Sequence, residues 1–171
     1  GLINTHVHFD GNPEDSVDYS VYARRTPDET LQLILDNART TLLTGFTTVR
    51  HVGAWFPDAV YRARELIESG QAPGPRIQTA GPYLTIPGGG GDLTFPEIPA
   101  EDIPAESQQG IASTPEEFAA RAEAAIAAGV ELIEEDGGEG EFFPHIYGAI
   151  APNWVTRVWP ARFADGRFIW G

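Results

Sequence analysis

The 171-residue chain contains no Cys and no Met, and all eleven of its basic residues are Arg, so Lys is absent too. Without Cys there is no disulfide framework, no thiolate zinc site and no cysteine nucleophile. Without Lys there is no Walker A phosphate loop and no Schiff-base chemistry. The absence of Met extends to position 1, so Gly1 is expected to follow residues of something longer, or residues removed by processing. Long apolar runs are missing as well. None approaches the ~18 residues of a membrane span, and no charged-then-apolar signal stretch opens the chain, so no membrane partner is expected.

What is present is acid. The net charge is −14, and residues 92–141 hold fourteen acids against Arg121 alone. Such a field repels phosphate backbones, which argues against nucleic acid as a partner. The acidic block reads as a solvated face, with a divalent-cation funnel as the other reading.

Strand and helix signals alternate. Residues 2–9 are apolar and β-branched with a period-two polar set, which predicts a buried strand. Thr26-Pro27-Asp28-Glu29 supplies an N-cap, a proline at the first helical position and a capping-box Glu. Leu31, Ile34, Leu35, Ala38 and Leu42 continue at helical spacing until Gly45. A strand is predicted over 46–52, a helix from Pro57 to Gly70, and a strand over 76–80. A Gly/Pro-rich stretch follows, and its Pro87 to Gly91 run reads as a flexible loop. Thr114-Pro115-Glu116-Glu117 then opens a helix ending at Gly129, and 130–134 is the fourth strand.

This order predicts an α/β fold with a parallel sheet covered on both faces. Both doubly wound sheets and (β/α)8 barrels satisfy it. From Glu139 the rhythm breaks, and three of the four Trp fall between Trp154 and Trp170. Ala164-Asp165-Gly166-Arg167 suggests a β-hairpin. The change in composition suggests a different origin for this tail.

His6-Val7-His8 carries the strongest chemical signal. Side chains at i and i+2 of a strand share a face, so the two imidazoles converge. Two neutral imidazoles make half of a zinc-type site, at the strand end where parallel sheets place active sites. Alternating histidines also occur as plain surface or packing residues.

Gly1 to His8 resembles the opening strand of the amidohydrolase superfamily, where a His-x-His pair on the first barrel strand binds metal. Leu43 to Arg50, Ser69 to Ile77 and Ala80 to Thr85 are similar to the family's later phrases, in register. The likeness runs to about residue 138 and is nearest to the imidazolonepropionase-like and Xaa-Pro dipeptidase-like branch. It implies an incomplete (β/α)8 TIM-type barrel of about four βα units. Residues 1–138 would form that partial barrel domain, and 139–171 an irregular tail.

The likeness also implies a hydrolase of C–N bonds (amide, peptide or cyclic amide) using water activated by a divalent metal, zinc foremost. His6 and His8 match the strand-1 ligands. Glu134 stands at the strand-4 ligand position, where the branch usually has a carboxylated lysine; it is equally one more acid in an acidic block. A carbamate-bridged two-metal centre is impossible without Lys. His51 replaces the family's Asp after Arg50 and reads either as a substrate-binding residue or as a satisfied strand-end histidine. The glycine loop lacks the family's His. His145 reads as loop, and nothing corresponds to the family's later histidines or its catalytic Asp, so no catalytic residue is identifiable. The expected partner is a small-molecule or dipeptide-like substrate. Two alternatives stand beside this reading: a non-catalytic truncated remnant with a metal half-site, and an acidic cation-binding module. An open half-barrel also predicts self-association.

Overall fold

The computed structural model describes residues 1–134 and three short strand segments at 158–160, 163–164 and 167–168. The elements run β1 (Leu2–Val7), α1 (Ser20–Arg24), α2 (Pro27–Leu43), β2 (Phe46–His51), α3 (Pro57–Glu68), β3 (Arg76–Thr79), α4 (Pro115–Ala127), β4 (Leu132–Glu134), β5 (Val158–Pro160), β6 (Phe163–Ala164) and β7 (Arg167–Phe168). The fold is mixed α/β, and its centre is a parallel three-stranded sheet in the order β1-β2-β3.

Local chemistry accounts for these elements. Thr26 accepts from the Glu29 backbone N–H at 3.3 Å while the Glu29 carboxylate takes the Thr26 N–H at 2.8 Å, closing the box at the head of α2. Gly45 ends that helix at φ 100°, a conformation open to glycine at little cost. At α4 the Thr114 hydroxyl accepts from the Glu117 N–H at 3.2 Å, but the Glu117 carboxylate reaches back to the Ser113 N–H at 2.7 Å instead of to the cap residue. The head of α3 has no side-chain cap of its own. Glu106, far along the chain, accepts from the Asp58 N–H at 3.1 Å, and burial raises its carboxyl pKa.

The core lies between the helices and the sheet. Ile34 and Ala38 of α2, Val60 and Ala63 of α3, Val49 of β2 and Ile77 of β3 are buried in one cluster. Each large aliphatic side chain buried there contributes about 1.5–3 kcal/mol relative to exposure. A second cluster forms under α4 from Phe118, Ala122 and Ala125 with Leu84, Ala112, Val130 and Ile133.

Three sequence expectations are corrected. First, β1 is not a strand buried on both faces: Leu2 and Ile3 are 57% and 65% exposed. β1 is the edge of the sheet and has β2 alone as its neighbour among the described residues, so one flank stays open. Second, β4 does not extend the parallel sheet; it pairs antiparallel with β5, Ile133 opposite Trp159. Its approach to β3 stops at one backbone bond, from the Glu131 N–H to the Thr79 carbonyl at 3.2 Å. The Glu131 carboxylate itself accepts the Thr79 N–H at 3.0 Å, occupying the donor that a continuing ladder would use. Third, the glycine loop is pinned. Asp92, almost wholly buried, accepts from the Gly88 N–H at 2.8 Å, and the Trp55 indole donates to the Gly91 carbonyl at 2.9 Å.

β6 and β7 pair antiparallel with Ala164 opposite Arg167. Among the described residues no helix is long and apolar enough to cross a membrane.

Candidate metal half-site

The site is built at the end of β1. Val7 sits opposite His51 of β2, and the Val52 N–H donates to the Val7 carbonyl at 3.2 Å. One residue on, the Phe9 N–H donates to His51 Nε2 at 2.9 Å, and Asn37 of α2 donates to the Phe9 carbonyl at 2.9 Å. Strand, neighbouring strand and helix thus hold the chain on either side of His8.

The alternation expected of a strand is realised. His6 and His8 are exposed on one face, their ring centroids 5.0 Å apart and their Nε2 atoms 3.1 Å apart. Two nitrogens at that spacing can share one ion at the ~2.0–2.1 Å length of an imidazole–zinc bond. The donor set therefore fits a divalent metal, but it is only half a shell. Among the described residues no group of three His, Asp or Glu lies close enough to hold an ion. The side chain of Glu134 and all of His145 lie outside the described residues.

His8 is exposed as a residue, yet its ring packs between neighbours that remove much of its water. That desolvation, and then the nearby His51, push its pKa down to about 4. Such a ring stays neutral near pH 7, the form that binds metal. The Tyr83 hydroxyl lies 2.9 Å from His8 Nδ1.

His51 is placed behind this pair, wholly buried, its ring edge-on to His8 at a centroid distance of 6.1 Å. Burial drives its pKa down to about 4. Because Nε2 accepts from Phe9, the single proton of the neutral ring sits on Nδ1, and a backbone hydrogen bond with Gly53 opposes part of the effect of burial. Asp10 Oδ1 is 3.7 Å from His51 Nε2. Its carboxyl is buried with Oδ2 unpartnered among the described residues, and burial raises its pKa. His51 and Asp10 form a polar layer that braces the end of β1.

Sequence reasoning missed Tyr83, Asp10 and Asn37. Asp10 stands two residues after His8, on the same alternation, and that spacing was the available signal. Tyr83 is 75 residues from His8, and nothing local connects them.

The amidohydrolase family model matches residues 1–156. No curated protein sequence matches the chain. Among solved structures, a Xaa-Pro dipeptidase with methionine bound in its active site is similar at 28% identity and TM-score 0.66, over 78% of this chain and 32% of that one. A structure described as an amidohydrolase is similar at 25% identity and TM-score 0.61, with the same coverage. A prolidase complexed with N-methylphosphonate-L-proline shares the fold at 24% identity and TM-score 0.60. The chain spans about a third of the length of these proteins. The extent of the family match decides the assignment: the chain belongs to the amidohydrolase family.

Proposed function

We propose that this chain forms the opening part of a (β/α)8 barrel and carries the first two metal ligands of a hydrolase that cleaves C–N bonds of amides, peptides or cyclic amides. The observation that carries the reading is the 3.1 Å convergence of His6 and His8 Nε2 at the C-terminal end of a parallel strand. A divalent ion bound there supplies a nucleophile from water near neutral pH and polarises the scissile carbonyl.

The chain's own residues do the rest. His6 and His8 offer nitrogen donors from one strand face. His51 and the backbone of Phe9 fix where that strand ends. Glu134, at the end of β4, is the third ligand in this reading. The methionine in the dipeptidase relative favours a small, dipeptide-like substrate, and zinc is the ion that this donor chemistry suits first. Residues 1–138 form the partial barrel domain and 139–171 the tail.

Zinc titrated into the metal-stripped chain is expected to bind once, and His6→Ala or His8→Ala to weaken binding by at least the ~10–100-fold that loss of a partner merely orienting a ligand costs. Hydrolysis of an aminoacyl-proline that survives both substitutions overturns the metal mechanism. Zinc binding without any hydrolysis favours the non-catalytic remnant, which the half-complete shell keeps as the second reading.

The exposed Leu2 and Ile3 on the open flank of β1, with Leu43 70% exposed, support self-association. Size-exclusion chromatography should show species larger than a monomer, and a single monomer peak at all concentrations removes that expectation.

A further inference from the structure

Resting on the metal reading of His6 and His8, we propose that Tyr83 is the positioning residue of the half-site: its hydroxyl holds the His8 ring through Nδ1 and leaves Nε2 as the one nitrogen of that ring able to face an ion. The argument is one of proton count. A neutral imidazole carries a single N–H, and its two nitrogens cannot both be donors or both be bare. The Tyr83 oxygen stands 2.9 Å from Nδ1 and His6 Nε2 stands 3.1 Å from Nε2, and the ring also has a hydrogen bond with the Gly53 backbone. If Nδ1–H donates to the Tyr83 oxygen, the Nε2 lone pair points at the place where the two histidines converge. The opposite arrangement, with Tyr83 donating, puts a proton on Nε2 and closes that nitrogen to metal.

Tyr83 is built to hold such a contact. Its ring is half-buried against the core and lies 5.6 Å from the Trp55 ring. Its segment is tied two residues on, at Thr85, whose N–H donates to the Gly110 carbonyl at 3.2 Å and whose carbonyl accepts from the Ala112 N–H at 2.9 Å. His6 is exposed, and among the described residues no oxygen holds its Nδ1 as Tyr83 holds that of His8. One ligand is therefore fixed and the other adapts. Partners that orient a ligating histidine through its second nitrogen raise metal affinity by about 10–100-fold.

The test uses the whole chain with 15N-labelled histidine. Long-range 1H–15N spectra of the metal-free protein should show His8 protonated on Nδ1. Tyr83→Phe keeps the ring and removes the hydroxyl. It should leave a mixture of the two tautomers and weaken zinc binding by about 10–100-fold, with little change in melting temperature. A wild-type His8 that carries its proton on Nε2 overturns the proposal without any variant. In a chain that does bind zinc, an unchanged tautomer and affinity in Tyr83→Phe overturn the role of Tyr83 alone. A wild-type chain that binds no zinc overturns the metal reading, and this proposal with it.

Discussion

Lowering the pH from 7 to 5 should cost the folded protein up to about 2 kcal/mol, through His51 alone. The unfolded chain takes up a proton on this residue near pH 6.5, whereas burial holds the native ring neutral down to about 4. Between those values the unfolded state binds more protons, so stability falls as pH falls. The loss is complete only below about 4. Asp10 has the opposite sign: its raised native pKa means that the folded state keeps a carboxyl proton longer than the unfolded chain does. It offsets part of the loss where the two windows overlap. His8, also lowered to about 4 by desolvation, acts with the same sign as His51, its share reduced because the residue is partly open to solvent. Carboxylates held low by hydrogen bonds, Asp18 by Ser20 and Glu29 by Thr26, act only below the ordinary carboxylate range and leave this window clear. Urea unfolding at pH 7 and pH 5 reads the effect directly. His51→Gln should reduce the pH dependence, leaving the part that His8 contributes. A wild type equally stable at both pH values, or a variant that loses as much, contradicts the assignment.

Gly110→Ala should cost about 3 kcal/mol and lower the melting temperature by roughly 10 °C. A Cβ at Gly110 would overlap the Tyr83 backbone carbonyl, and neither partner is a side chain that can swing away. Relief requires the two segments to separate, which strains the bonds from Thr85 to Gly110 and from Ala112 to Thr85. The damage therefore reaches the segment that places Tyr83 beside His8. Gly70 is the natural comparison. It has φ 74° with no atom within 4 Å of a built Cβ, so Gly70→Ala meets backbone strain alone, about 1 kcal/mol. Melting curves of the two variants separate steric overlap from conformational strain. Equal losses would mean that the segment around Gly110 yields without cost.

Apart from the short α1, the order of elements from β1 to α4 and the shared face of His6 and His8 are determined by the sequence alone. The reason is that they rest on interactions a few residues apart. Thr26 and Glu29 close a box within one turn, Gly45 ends a helix through its own φ, and two side chains separated by one residue of a strand face the same way wherever that strand lies. Such signals act before any long-range contact exists. The amidohydrolase likeness was readable on the same terms, as phrases kept in order.

What tertiary structure alone decided has partners far apart in the chain. β1 is exposed because a strand's burial depends on what lies beside it, which its own residues do not state. β4 pairs with β5, and the Glu131 carboxylate takes the Thr79 N–H across 52 residues of chain. Glu106 caps α3 from a distant 3-10 turn. His51 reads in sequence as a residue beside the site, yet packing puts it wholly out of water and turns it into a brace for β1. Tyr83 meets His8 only because the segments that bear them close on one another in space. Loop closure joins such groups at an entropic cost that depends on the whole fold, and so these contacts leave no mark in local pattern.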